Sequence, residues 1–290
     1  MHFASFPLPI RQQRTALSQY GKDAANVLSQ LKDYGTFQIG NPFMTAQLSS
    51  ETPSPQLDGA RLLDMRARSL SARFRSTGTL ELLEHAINVE FSGRIALVSS
   101  FGSESAALLH LVAEIDRAIP IIFLDTEKHF AQTLSYRTKL AATLGLTNVI
   151  NVQPNIDAVS TRDADGNLWK NDPDGCCTLR KVEPLAGVLT EFDAWITGRK
   201  QFHGGGRVAL PAFEATQSHI KVNPLIHWSK DDLTSYVKEH DLPAHPLVAQ
   251  GYPSIGCWPC THPVADDDDV RAGRWRGAAK TECGIHDTQG

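Results

Sequence analysis

Residues 94–125 read Arg94-Ile-Ala-Leu-Val-Ser99, then Ser100-Phe101-Gly102-Ser103-Glu104-Ser105, an apolar stretch to Asp116, and Pro120-Ile-Ile-Phe-Leu-Asp125. The first run is short and continuously apolar, as a strand buried on both faces must be. The turn after it is small and hydroxylated, which suits a helix start. Leu108, Leu109, Val112 and Ile115 then recur at helical spacing over 103–116, and 120–125 is a second buried strand. A strand, a helix and a strand in this order predict a parallel pair covered by its crossover helix.

The same alternation extends outward. Upstream, regularity begins near Ala60, and Leu80, Leu83 and Ile87 mark one face of a helix ending near Asn88. Downstream, spacing predicts a helix over 130–144, a strand over 148–152, and a helix from Cys176 to about Phe192. Strands at 194–197 and 220–222 and a helix over 230–240 follow. The fold class is therefore α/β, a doubly wound, mostly parallel sheet. After Leu242 comes an irregular C-terminal segment carrying cysteines, and no internal repeat is present. Residues 58–290 read as a single domain with a C-terminal tail over 261–290. Residues 1–57 do not fit: Pro7, Pro9, Gly35, Gly40 and Pro42 break their apolar clusters, and a polar stretch closes them. They read as an N-terminal extension, either disordered or the product of an upstream start with Met44 as the true first residue.

Composition excludes several classes. At 290 residues the chain can bury a sizeable core, and 41% hydrophobic with 21% charged residues is ordinary for a globular protein. A net charge of −4 offers no bulk attraction to nucleic acid or to a membrane surface. With no membrane-length apolar run and no leader pattern, a cytoplasmic location is expected. Any anion site must then be a local cluster. The first candidate is the Ser100–Ser105 turn, where free backbone N–H groups and the helix dipole favour phosphate or sulfate. An ordinary loop with serine caps reads equally well there. It is not a Walker-type loop, since no Gly-Lys-Ser/Thr closes it. The second strand ends at Asp125-Thr126-Glu127, where Asp125 and Thr126 could hold a ribose or a base. Positive charge comes from Arg180, Lys181, Arg199, Lys200, Arg207, Arg271 and Arg274, with Arg207 in the loop His203-Gly204-Gly205-Gly206-Arg207.

The five cysteines divide the chemistry further. Cys257-Trp-Pro-Cys260 is a half-site whose turn faces two sulfurs toward one centre. Cys176-Cys177 can do the same only from a turn or helix start, which Asp172-Pro-Asp-Gly175 supplies. On spacing alone the four suit an iron–sulfur cluster or zinc; a buried pair, a vicinal disulfide and a redox dithiol stay open. Cys283 is left over, three residues before His286 and close to Lys280, in Lys280-Thr-Glu282-Cys283-Gly284-Ile-His286. A thiol on a C-terminal arm with positive neighbours is a candidate nucleophile. The competing reading is an ordinary free cysteine near a frayed end.

Four segments together resemble one family: Cys176-Cys177-Thr-Leu-Arg180-Lys181-Val-Glu183-Pro184-Leu185, Gly256-Cys257-Trp-Pro-Cys260-Thr-His-Pro263, Arg271-Ala-Gly273-Arg274-Trp275 and the Lys280–His286 segment. From about Ala60 to His286 the chain resembles the assimilatory adenylyl-sulfate (APS) reductases, of the phosphoadenylyl-sulfate (PAPS) reductase family. The resemblance implies an adenine nucleotide α-hydrolase-like fold of the PP-loop type. It implies thiol-dependent reduction of APS to sulfite and AMP, in sulfate assimilation toward cysteine, through an S-sulfocysteine on Cys283. It further implies one [4Fe–4S] cluster on Cys176, Cys177, Cys257 and Cys260, which does not itself pass electrons. Thioredoxin, or glutaredoxin with glutathione, would be the reductant, and homo-oligomer formation is compatible with the pattern. By the same resemblance Lys181 sits beside the cluster, and Arg207, Arg271, Arg274 and His286 hold the phosphosulfate and the active tail. Ser100, Phe101, Gly102, Ser103, Ser105, Asp125 and Thr126 match the nucleotide loops. Two departures stand out: Glu127 occupies a position where relatives commonly have glycine, and Gly198-Arg199-Lys200-Gln201 departs from the usual Arg-Arg-x-Gln. A PAPS reductase is the nearest alternative; a non-reductase nucleotide-binding iron–sulfur or zinc protein is a more distant one.

Overall fold

In a computed structural model, residues 58–265, 269–276, 280 and 282–286 are described, and all of them fall within one compact unit. The expectations for residues 1–57 lie outside the described residues. Six strands form one sheet in the order β3-β2-β1-β4-β6-β5. They are β1 (Ile95–Val98), β2 (Ile121–Leu124), β3 (Val149–Val152), β4 (Ala194–Ile196), β5 (Phe213–Ala215) and β6 (Ile220–Val222). Neighbours pair in parallel, except that β5 runs antiparallel to β6 at the edge. The chain leaves β1 toward β2 on one side and returns to β4 on the other. The switch point of the sheet is therefore between β1 and β4, where ligands bind in open α/β sheets.

Successive strand residues face opposite ways, and the two faces are covered unequally. Ile95, Leu97, Ile121, Phe123, Ala194, Ile196, Ile220 and Val222 point into the larger core. Five helices cover that face: α1 (Gly59–Arg73), α2 (Thr79–His85), α3 (Ser105–Ala113), α4 (Ala131–Leu144) and α9 (Lys230–Glu239). The alternate residues Ala96, Ile122, Leu124 and Trp195 meet a small core formed with Leu185, Leu189 and Phe192, against which Ile285 of the C-terminal tail packs. On this face Lys221 of β6 is buried, with its ammonium over the Trp195 ring. Two short helices, α5 (Ile156–Arg162) and α6 (Leu168–Asn171), precede the cysteine pair.

Two expectations need correction, and one strand was not expected. The helix drawn from Cys176 to Phe192 is two: α7 (Pro173–Cys177) and α8 (Glu183–Leu189), joined by a π-helical turn over Thr178–Val182. Pro184 explains the break, because its ring would clash with the carbonyl four residues earlier and it has no N–H to donate; a wider turn relieves both. Leu80 is not on the buried face of α2. It is 42% exposed, while its neighbours Leu82 and Leu83 face the core and Ile87 continues that face from a π-helical turn (Ala86–Glu90). Finally, β5 went unread, since three residues with only Phe213 fully buried carry no periodic signal.

Candidate active site

A cavity opens at the carboxyl ends of β1 and β4. From β1 it takes Ser99, Ser100, Gly102, Ser103, Glu104 and Ser105; from β4, Thr197, Gly198, Arg199 and Lys200. The turn that presents the serines is tight. Phe101 adopts φ 48°, unusual for a non-glycine residue, and Phe101 N–H donates to Ser99 Oγ at 3.2 Å. Its ring is fully buried edge-on against Phe123, so the side chain belongs to the core and not to the cavity wall. Gly102 leaves only 3.3 Å between a notional Cβ and the Ile255 carbonyl oxygen, so a side chain there would push the later segment away.

The tail closes the other side with Arg271, Arg274, Glu282, Cys283, Ile285 and His286. Arg274 lies so close over Gly256 that any Cβ there would collide with the guanidinium. Arg207 donates from Nε and Nη2 to the two Glu282 oxygens at 2.7 and 2.8 Å, and its Nη1 lies 3.2 Å from His203 Nδ1. Arg271 adds a third bond to Glu282 at 3.3 Å. Lys221 donates to the His286 carbonyl at 3.0 Å, and the His286 ring stacks on Trp195. Burial, then the charges of Arg199, Arg207, Lys221 and Arg271, push His286 well below the ordinary histidine range, so its ring is neutral.

Two further cations named from the sequence, Lys200 and Arg199, line the cavity as buried partners of carboxylates. Lys200 donates to Glu104 at 2.6 Å, with His203 beside the same carboxylate. Burial works against Glu104 ionising, but the hydrogen bond from His203 and the charge of Lys200 hold it down at about 2. Arg199 is buried between Glu214 and Asn223. The missed signal was position, since both cations directly follow the strand across the switch point.

A second, smaller cavity is lined by Cys176, Cys177, Cys257 and Cys260, with Thr126, Lys181, Arg180 and Trp275. Asp172 caps α7, accepting from Gly175 N–H at 2.8 Å, and this capped start presents the adjacent cysteines. Cys257 precedes a single 3₁₀ turn that ends on Cys260. All five cysteines are free thiols, so no disulfide competes for them. Burial and the neighbouring sulfurs push Cys176 up to about 12, and burial pushes Cys177 to about 11. Among the described residues no three Cys, His, Asp or Glu side chains are drawn together as a site for one metal ion; the four thiols line the walls of the cavity. An all-sulfur donor set of this kind fits an iron–sulfur cluster or a tetrahedral metal, which would displace the thiol protons.

The two cavities share Lys181, Cys257 and Trp275. Burial pulls the Lys181 ammonium down, yet Cys257, Cys283 and Cys177 outweigh it and raise it above the ordinary lysine value. Asp125 and Thr126 are placed away from the anion cavity. Asp125 accepts from Glu127 N–H and Asn151, while Thr126 Oγ1 lies 3.2 Å from Cys257 Sγ. Glu127 itself has φ 58°, a backbone region that favours glycine, and reaches Arg180 at 2.6 Å. Arg180 is buried and also grips Asp163 at 2.7 Å.

Comparison with known proteins adds the following. Residues 94–263 match the model of the phosphoadenosine phosphosulfate reductase domain. The chain is 51% identical over 221 residues to the adenosine 5′-phosphosulfate reductase of Mesorhizobium japonicum, covering 76% of this chain and 87% of the relative. It is 36% identical to the protein of the same name from Rhodococcus opacus, covering 84% and 99%. Among solved structures it is similar to the phosphoadenylyl-sulfate reductase of Candida auris in its phosphate complex. That match has a TM-score of 0.58 and 27% identity, over 68% of this chain and 97% of that one.

Proposed function

The chain belongs to the phosphoadenosine phosphosulfate reductase family, and on that premise we propose how it reduces adenylyl sulfate to sulfite and AMP. Its fold is the adenine nucleotide α-hydrolase-like one of that family, and it is a sulfur-acting oxidoreductase of sulfate assimilation. The observation that carries the proposal is the position of Cys283, in a cavity walled by Lys181, Arg271 and Arg274 at the switch point of a nucleotide-type sheet. The Ser100–Ser105 turn takes the phosphate end of the nucleotide, through Gly102 and the serine side of the α3 N-terminus. Lys181, Arg271 and Arg274 neutralise the sulfate oxygens of the phosphosulfate anhydride, without which a thiolate and that anion repel.

The Cys283 thiolate then attacks the sulfate sulfur, forming an S–S bond. The bond from that sulfur to the bridging oxygen breaks, and AMP leaves with the electron pair. A thiolate of the reductant next attacks Cys283 Sγ. The S–S bond breaks toward sulfite, and a second reductant thiol resolves the mixed disulfide and frees Cys283. Both electrons come from the two thiols, so the balance closes without another donor. Thioredoxin, or glutaredoxin with glutathione, has the required chemistry. A [4Fe–4S] cluster on Cys176, Cys177, Cys257 and Cys260 would supply fixed charge beside Lys181, in the wall the two cavities share. No described helix is long and apolar enough to cross a membrane.

The test is mass spectrometry of the protein after incubation with APS and no reductant. A sulfonate on Cys283 is expected, and its absence with both APS and PAPS would sink the reading. A PAPS preference would show as faster labelling by the 3′-phosphorylated nucleotide. Iron and sulfide analysis of anaerobically prepared protein decides between cluster and zinc.

A further inference from the structure

We infer that Glu282 is the positioning residue that latches Cys283 into the cavity, and that Arg207 serves the latch before it serves substrate. This rests on the reading of Cys283 as nucleophile. Arg207 spends Nε and both terminal nitrogens inside the protein: two on the Glu282 carboxylate, one on His203. A guanidinium forked onto a carboxylate in this way is a directional, charge-assisted pair, stronger than a neutral hydrogen bond. The pair is sheltered, with the Arg207 side chain 12% and the Glu282 side chain 29% exposed, so solvent screens it less than a surface bridge. Arg271 grips the same carboxylate from the tail's own turn.

The latch spans the cavity. Arg207 belongs to the Gly-rich loop after β4, within a 3₁₀ turn (Gly205–Arg207) entered through Gly204 and Gly205 at positive φ. Glu282 immediately precedes Cys283, so one peptide unit carries the restraint to the nucleophile. Beyond Cys283, Ile285 packs in the small core and Lys221 holds the His286 carbonyl. The nucleophile is thus pinned from both sides: Glu282 before it, Ile285 and His286 after it. An anionic substrate entering among Arg207, Arg271 and Arg274 meets a carboxylate already there.

Hydrogen–deuterium exchange of the C-terminal peptide containing Cys283–His286, in the full-length protein without substrate, tests the latch directly. Glu282→Gln and Arg207→Gln should each speed exchange there about tenfold, as expected for losing a charged hydrogen-bonded pair. The double variant should exchange no faster than the faster single one, because one interaction is cut from either end. In turnover, Glu282→Gln should lower kcat while leaving KM unchanged or lower, since freed arginines still hold the nucleotide. Exchange at the wild-type rate in Glu282→Gln, or multiplied effects in the double variant, would overturn the latch. Neither outcome depends on catalysis, whereas absence of a Cys283 adduct would overturn the functional reading and leave the exchange result standing.

Discussion

The two faces of the sheet solve different problems. Under α1, α2, α3, α4 and α9 lies a continuous apolar core, fed by every second residue of β1, β2, β4 and β6. The opposite face has α8, a handful of apolar side chains and a tail residue, and it buries a lysine in the middle of a strand. On the thick face, removal of apolar area from water holds the structure. On the thin face, charged hydrogen bonds do: Lys221 to the tail, Arg207 to Glu282, Arg180 to Asp163. Such contacts are directional and individually breakable, so this face can rearrange around an anion while the other stays fixed.

The sharpest way to break this comparison is to remove the reagent and ask what else falls. Cys283→Ser should abolish sulfite formation while the melting temperature and the iron content stay at their wild-type values. Loss of iron in that variant would mean the nucleophile and the cysteine cavity are not separate. Lys181→Ala comes next. Removing a preorganised positive charge facing developing negative charge should lower kcat about 10²–10³-fold. The protein should still fold, because the Lys181 side chain is no part of either apolar core. Steady-state sulfite release measures both.

Arg180→Ala moves the question to stability. Its guanidinium is buried, and the Asp163 side chain it grips is fully buried, so the variant strands a carboxylate. The cost should be about 3–5 kcal/mol in denaturant unfolding. If the thin face is a separately cooperative region, the loss will appear first as exchange of α7 and the cysteine segments. Equal loss across α1–α4 would dissolve the distinction between the faces.

Acid separates the faces by pH. His245 is buried against α4: Leu247 N–H donates to its Nδ1, so Nε2 carries the proton toward Thr133 Oγ1. Burial holds it at about 4, below the ordinary 6.5, so the unfolded chain binds the extra proton first. Its contribution is complete above pH 6.5 and is lost as pH falls toward 4, in total on the order of 3 kcal/mol. Glu104, at the cavity, is depressed instead to about 2, so its contribution is present above 4.5 and lost between 4.5 and 2. A stability profile in which His245→Gln flattens only the upper window agrees with this; a single step unaffected by that variant does not.

Legibility in the sequence follows the same division. The thick face was readable because alternation and helical spacing are what an apolar core demands, and β1, β2, β3 and α4 appear within a residue or two of expectation. The thin face was readable only where chemistry is motif-bound, at the cysteines and in the tail. Arg199 and Lys200 were legible as cations of the candidate anion site but not as buried ones, because nothing local in Gly198-Arg199-Lys200 announces burial; their partners are Glu214 and, far along the chain, Glu104. Phe101, Asp125 and Thr126 were assigned to a nucleotide by position in their loops. The positive φ at Phe101 turns its ring into the core, and Thr126 is drawn toward Cys257.

Glu127 gives the smallest and most discriminating effect. Its backbone sits at φ 58°, where any side chain costs about 1 kcal/mol relative to glycine. In return its carboxylate reaches Arg180, but the side chain is 49% exposed, and ion pairs with one partner in solvent contribute about 0–1 kcal/mol. Arg180 keeps Asp163 and the Thr126 carbonyl in any case. The two terms nearly cancel, so Glu127→Gly should shift stability by less than about 1 kcal/mol in either direction. Glu127→Ala keeps the strain and loses the pair, and should be the less stable of the two by the full backbone term. If instead both variants lose the same amount, a side chain at this left-handed backbone carries no penalty, and the shared loss is the worth of the Glu127–Arg180 contact. Thermal melts of the two variants side by side, each against wild type, separate these cases because the ion pair is absent from both.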